Sequence, residues 1–326
     1  MPCGPVIGRR TFTVMAATVA AAGLAPAARA ETWPTRPVRL LVPFAPGGST
    51  DVTARLIGDQ LTRTWGQTVV IENKPGAGTH LASDLVAKAA PDGYTVLITA
   101  ATLPIGRHLY RSLPYEISDL APVSLIVTFP LLILVPPGSP LRSVADLIAR
   151  AKANPGKLSY ASPGQGTTPH LAGELLKQMT GIDMTHVPYR GDGPGLADTM
   201  AGRVDLQIGG PALLEQVKGG TVRAIAMTSA QRSPLAPEIE AVGETVPGYD
   251  VSSWFALFVP AKTPRDIVAR MSADVQRVTA DPAIKARFAE ISMVAGGSTP
   301  EALGALVDAE VKKWGTVIKA ANIVLE

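Results

Sequence analysis

Val38-Arg39-Leu40-Leu41-Val42-Pro43-Phe44-Ala45-Pro46-Gly47-Gly48-Ser49-Thr50-Asp51 reads as an apolar strand, a glycine-rich turn carrying hydroxyls, and the start of a helix. About 120 residues later the idea recurs. Leu158-Ser159-Tyr160-Ala161 runs through Ser162-Pro163-Gly164-Gln165-Gly166-Thr167-Thr168-Pro169-His170 into a second helix. The first N–H groups of a helix have no intrahelical acceptor, and the helix dipole adds partial positive charge there. Such a start holds an anion without a metal or a buried lysine. One turn of this kind says little. Two, in separate halves of a chain long enough for two lobes, imply a clamp closing on a small carboxylate.

Outward from these turns the pattern alternates strand and helix, the mark of an α/β fold. Residues 38–42 are almost continuously apolar, as in a strand covered on both faces. A helix is expected over 51–65, with Val52, Leu56, Ile57 and Leu61 at helical spacing. Strands follow at 69–71 and 94–98, separated by a helix over 78–90 that Pro91-Asp92-Gly93 ends. Each such unit is a right-handed βαβ crossover. Farther on, Leu132-Ile133-Leu134-Val135-Pro136 echoes Ala256-Leu257-Phe258-Val259-Pro260, and helices are expected after them over 143–153 and 265–280. These two strands mark where the chain enters and leaves a second lobe. The expected domains are therefore lobe one, 31–130 plus 253–326, and lobe two, 131–252. The return is helical, with one apolar stripe of Ile267, Val268, Met271, Val275 and Val278. A second stripe holds Leu303, Leu306, Val307, Val311, Trp314 and Ile318, behind an N-cap at Thr299 and Pro300 in the first turn.

Residues 1–30 read as an export signal. Arg9-Arg10 precedes an apolar stretch from Val14 to Ala25, and Ala28-Arg29-Ala30 fits a small-x-small cleavage site. The paired arginines fit twin-arginine export, and such pairs also occur in ordinary secretory signals. The single cysteine, Cys3, lies inside this segment, so the expected mature chain has no thiol, disulfide or cysteine metal ligand. Taking the signal's three arginines from 30 basic residues leaves 27 against 27 acidic, so the net charge of +3 belongs to the signal. No positive field remains to favour nucleic acid.

Five segments together resemble one family. They are the 43–51 turn; Glu72-Asn73-Lys74-Pro75-Gly76-Ala77-Gly78; Pro91-Asp92-Gly93-Tyr94; Val187-Pro188-Tyr189-Arg190-Gly191; and Ser253-Trp254-Phe255-Ala256-Leu257-Phe258-Val259-Pro260-Ala261. In order and spacing across 33–326 they are similar to the solute receptors of tripartite tricarboxylate transporters, the Bug family. The resemblance implies a two-lobed, type II periplasmic-binding-protein fold with a central cleft and two crossover strands. It also implies no catalytic activity, and delivery of small organic acids to a membrane permease. One departure stands out. Where family members commonly carry Asn-Pro, this chain has Gly106-Arg107, and Arg107 reads either as a solvated surface arginine or as a guanidinium at the cleft rim that favours a second carboxylate.

The first expected ligand wall is Phe44, Ala45, Pro46, Gly47, Gly48 and Ser49, with Asp51 in the first helical turn, mainly as a cap. The second is Gly164, Gly166, Thr167 and Thr168, with His170 early in the following helix. Further walls are expected beyond strand ends, at Thr99, Ala101 and Thr102, at Tyr189, and at Gly209-Gly210. Micromolar binding needs about 8 kcal/mol, and four to six hydrogen bonds to a charged group at roughly 1.5–3 kcal/mol each supply it. No cofactor or metal is expected. The four histidines, His80, His108, His170 and His186, have no metal-ligand spacing, and the G-x-S-x-G, P-loop and H-E-x-x-H motifs are missing. The chain is thus expected to be a monomeric, periplasmic carboxylate receptor. The alternatives are an exported hydrolase, with Ser49 and His170 meeting across the cleft, and a ligand sensor in a signalling system.

Overall fold

The computed structural model describes residues 1–4, 33–76 and 79–320. Nearly all of the expected signal, and Gly78 of the expected second helix, lie outside them. Among the described residues no helix is long and apolar enough to cross a membrane.

The chain opens with β1 (Val38–Val42), α1 (Ser49–Trp65), β2 (Val69–Asn73), α2 (His80–Ala87), β3 (Thr95–Ala100), α3 (Thr102–Leu109) and β4 (Leu120–Pro130). It continues through β5 (Leu132–Val135), α4 (Val144–Ala153), β6 (Ser159–Ser162), α5 (Thr168–Thr180), β7 (Thr185–Pro188), α6 (Asp192–Met200), β8 (Leu206–Gly209), α7 (Leu214–Lys218), β9 (Arg223–Met227) and α8 (Val242–Thr245). It ends with β10 (Ser252–Pro260), α9 (Arg265–Ala280), α10 (Pro282–Glu290), β11 (Val294–Ala295) and α11 (Pro300–Ala320).

Two sheets result, ordered β11-β4-β10-β3-β1-β2 and β7-β6-β8-β5-β9. Each contains a parallel trio, β2-β1-β3 in one and β7-β6-β8 in the other, flanked by antiparallel strands. The two glycine turns follow the middle strand of each trio. That central place, with strands on either side, is where an open α/β sheet gathers ligands. The fold is two-lobed α/β.

β4 reaches Pro130 in the first sheet and β5 begins at Leu132 in the second. β10 brings the chain back, pairing antiparallel with β4 from Ser252↔Pro130 to Pro260↔Leu120. Thr228, fully buried, clips both passages together: its Oγ1 accepts from the Leu131 N–H at 2.9 Å and donates to the Val251 carbonyl at 2.7 Å.

α1 begins at Ser49, two residues before the expected start, and ends on Gly66 in the left-handed region at φ 67°. Its buried face is not quite the expected stripe. Ile57 and Leu61 are buried, but Val52 is exposed, because Ala54 and Gly58 turn toward the sheet instead. A Cβ at Gly58 would stand 3.0 Å from Ile71, so small residues set how closely this helix lies on β2. The return helices match their stripes, with Met271, Val275 and Val278 buried on α9 and Leu303, Val307, Trp314 and Ile318 on α11. The Thr299 hydroxyl accepts from the Ala302 N–H at 3.2 Å, the N-cap its sequence position implies.

Candidate functional site

The first glycine turn is held by Asp51. Gly47, at φ 86°, bends the chain so that its N–H donates to Asp51 Oδ2 at 3.0 Å. Arg55 adds two bonds at 2.9 and 3.0 Å, and Asn73 a third donor at 3.0 Å. Burial acts to raise the Asp51 pKa, but the hydrogen bonds from Arg55, Gly47 and Asn73 outweigh it and hold the carboxyl below the ordinary range. Asp51 is a brace that leaves the first-turn N–H groups of Ser49 and Thr50 without intrahelical acceptors at the cleft.

The second turn has its own brace. The Ser162 hydroxyl donates to the Gly164 carbonyl at 3.0 Å, accepts from the Gly164 N–H at 3.2 Å, and lies 2.7 Å from His186 Nε2. The Gly166 N–H donates to His170 Nδ1 at 3.1 Å, and the His170 and His186 rings stack with centroids 4.0 Å apart. Burial depresses the pKa of His170 to about 4; burial, helped by the neighbouring His170, depresses that of His186 to about 3. Both rings are neutral near pH 7. They support the turn from behind.

Both turns face one cavity between the lobes. Of the expected residues, Phe44, Gly48, Ser49, Thr102, Thr167, Thr168 and Gly210 line it. Its free space is only about 30 Å³. The lobes touch around it: the Ala45 N–H donates to the Arg190 carbonyl at 3.2 Å and the Ala212 N–H to Ser49 Oγ at 3.1 Å. This is a closed clamp, and a solute of several carbons enters only when it opens.

The sequence profile of the tripartite tricarboxylate transporter family receptor, TctC, matches residues 53–323. The chain belongs to this receptor family. BugT of Bordetella pertussis is 34% identical over 322 residues, covering 97% of this chain and 99% of that one. R. palustris Rpa4515, solved with adipate, is 38% identical with a TM-score of 0.88, covering 90% of this chain and all of its own. MatC from Rhodopseudomonas palustris, solved with bound malate, is 31% identical with a TM-score of 0.81, covering 88% of this chain and all of its own. TctC-family proteins are solute receptors rather than enzymes. The local chemistry agrees, since Ser49 bonds to Ala212 and Asp192 while His170 is committed to Gly166 and His186.

The TctC-family frame leaves several expected residues outside the cavity. Gly164 and Tyr189 line a second hollow at the cleft mouth, with Pro75 and Arg190. The Tyr189 hydroxyl is already spent on Asp198, at 2.7 Å. Ala45 and the Pro46 carbonyl meet the backbone of Gly191 and Gly193 across the cleft. Thr99 and Ala101 are fully buried in the first lobe, and it is their neighbours Ala100 and Thr102 that reach the cavity, as strand alternation and the turn into α3 dictate. Gly209 packs against Leu213 and Asp192, and Gly166 and His170 stay behind the second turn.

Arg107 is the clearest correction. It is exposed in a groove formed with α11, beside Ile117, Val307 and Asp308, and does not reach the cavity. Thr102 points into the cleft, and five residues along a helix is a rotation of about 140°, which turns Arg107 to the opposite side. Arg107→Ala is therefore expected to leave affinity for mono- and diacids alike within about twofold. Calorimetry showing a selective loss for diacids would return Arg107 to the site.

Phe129, Asp192, Ser253 and Phe255 are among the cavity residues that received no site role from the sequence. Phe129 and Phe255, rings 4.7 Å apart, form an apolar floor where β4 and β10 pass between the lobes. For Asp192 a signal existed. Gly191-Asp192-Gly193 follows β7 and opens α6, a third strand-to-helix turn like the two already recognised.

Proposed function

We propose that this receptor captures a small organic carboxylate in the periplasm, between a lobe of residues 31–130 plus 253–326 and a lobe of 131–252, and hands it as a monomer to the membrane permease of a tripartite transporter. The observation that carries the reading is the meeting of two glycine turns, each at a helix start, on one interlobar cavity. No lysine, arginine or histidine lines that cavity among the described residues, so the anion's partners are N–H groups, hydroxyls and helix dipoles. The adipate and malate held by two relatives support the same ligand class. Residues 1–30 serve as the cleaved export signal in this reading.

The hydroxyls differ in what they have left to give. Thr167 Oγ1 donates its hydrogen to the Gly164 carbonyl at 2.6 Å, so it braces the turn. Thr168 Oγ1 accepts from Ser253 Oγ at 3.4 Å and keeps its own hydrogen for a ligand. Ser49 accepts from Ala212 and holds its hydrogen toward Asp192 only at 3.5 Å. Ser49→Ala combined with Thr168→Ala is expected to weaken carboxylate binding ten- to a hundredfold, the loss of one or two bonds of about 1.5–3 kcal/mol. A thermal-shift screen of mono- and dicarboxylates finds the ligand, and calorimetry on the double variant tests the walls. Unchanged affinity would refute them, and a panel in which no acid binds would refute the function.

A further inference from the structure

The cavity contains an acid where an anion is expected. Asp192 is the first residue of α6, is 7% exposed, and is the only ionisable side chain on the cavity wall among the described residues. Its measured bonds are long, the Gly210 N–H at 3.4 Å from each carboxyl oxygen and Ser49 Oγ at 3.5 Å, and the Ser49 N–H also points to it. Good bonds of these kinds lie near 2.7–3.2 Å. Asp51 is the internal control, equally buried but holding donors from Gly47, Arg55 and Asn73, all within 3.0 Å. Asp51 is a satisfied carboxylate. Asp192 is an acceptor facing the ligand space with room for a stronger partner.

We propose that Asp192 selects among carboxylates by accepting a hydrogen bond from an O–H or N–H donor on the ligand itself, so that the preferred solute is a hydroxy- or amino-carboxylate rather than a plain one. This rests on the carboxylate-receptor reading above and narrows its substrate class. A plain carboxylate brings a second negative charge into a space that has no cation to offset it. A hydroxyl supplies the hydrogen that Asp192 lacks, and an ammonium supplies both hydrogen and countercharge. The ligand's own carboxylate then remains for the two helix starts, and its donor marks the side that must face α6. Burial raises the Asp192 pKa to about 6, which is the behaviour of a carboxyl waiting for such a partner.

The test compares matched trios that differ by one group: propionate, lactate and alanine; succinate, malate and aspartate; adipate, 2-hydroxyadipate and 2-aminoadipate. Calorimetry at pH 7.5 on the full mature chain is expected to give at least tenfold tighter binding for the donor-bearing members of whichever trio fits. Asp192→Asn, close in shape but neutral, is expected to tighten the plain acid and shrink that preference at least tenfold, most for the ammonium ligand. An unaltered melting temperature for the empty variant confirms that it folds; if it does not, Asp192→Ser provides the same comparison. Equal affinity for plain and substituted acids in the unmodified protein overturns the inference while leaving the carboxylate receptor standing. So does a preference that survives removal of the acid. If no trio binds, the carboxylate reading falls and this inference falls with it.

Discussion

Gly210→Ala is expected to lower ligand affinity by about ten- to a hundredfold without unfolding the protein. Gly210 has ordinary extended backbone angles, φ −74° and ψ 160°, which alanine adopts without strain. Its necessity is one of space. A Cβ there would lie 2.0 Å from Ser49 Oγ and 2.6 Å from Ser49 Cβ. Turning the serine side chain relieves the first contact but cannot relieve the second, because Cβ is fixed by the backbone of α1. Gly210 follows β8 in the second sheet and Ser49 opens the helix after β1 in the first, so relief comes from separating the lobes. Separation breaks the Ala212-to-Ser49 bond and pulls the two helix starts away from a shared anion. Keeping the lobes closed costs about 1–3 kcal/mol of overpacking, and letting them part instead forfeits one or two bonds of about 1.5–3 kcal/mol each, so either route weakens binding by roughly ten- to a hundredfold. Small-angle scattering is expected to show that ligand no longer compacts the variant, while its melting temperature without ligand stays near that of the parent. Affinity like the parent's would mean that closure does not bring Gly210 onto Ser49, and the clamp geometry would be wrong.

The same interlobar contacts explain which parts of the site could be read from the chain. β1 and the turn after it were legible because an apolar run, two glycines and a helix start are local signals that need no partner. The two-lobed α/β class followed from repetition of that local unit. Arg107 was misplaced because it was judged by the family's Asn-Pro at that place in the sequence and not by its phase on α3, which turns it to α11. Val52 failed for a related reason: spacing alone did not show that Ala54 and Gly58 were the residues laid on the sheet. The strand-to-helix turn at Asp192 was legible, but its burial was not, because nothing local distinguishes a buried acid from a solvated one. Its burial comes from Ser49, 143 positions away in sequence, meeting it across the cleft. His170 was located correctly at the start of α5, but its role depends on His186 from β7, and pairing across a sheet is tertiary information.

Acid is expected to destabilise this protein steeply below about pH 6, through histidines that the fold keeps neutral. His80 and His170 are 3% and 5% exposed, and burial lowers each to about 4; His186, partly buried, is lowered to about 3. The unfolded chain titrates near 6.5, so above that value neither state gains protons and the full stability is present. As pH falls from 6.5 towards 4, the unfolded state takes up protons that the folded state refuses, and stability is lost. At pH 5 the loss is about 2 kcal/mol for each of His80 and His170, with a smaller share from the wetter His186. Asp51, held low, adds to the loss only at still lower pH. Asp192 runs the other way, since a carboxyl raised to about 6 gains stability as it protonates between 6 and its ordinary value. One such group offsets part of the loss from three. Against a typical total of about 5–15 kcal/mol, the remaining several kcal/mol are enough to bring unfolding into the range of pH 4–5. Denaturant melts at pH 7.5, 6 and 5 read the slope directly, and a stability that does not change over that range would show that these rings titrate normally. His170→Asn separates the roles, because its side-chain oxygen still accepts from the Gly166 N–H while nothing remains to protonate. The variant is expected to be less stable at pH 7.5, having lost the stacked ring, yet to lose less on acidification. Because His170 and His186, which hold the second glycine turn, stay neutral in the folded protein down to about pH 4, that turn's contribution to ligand affinity is expected to persist over the range in which stability declines and to be lost only with the fold itself.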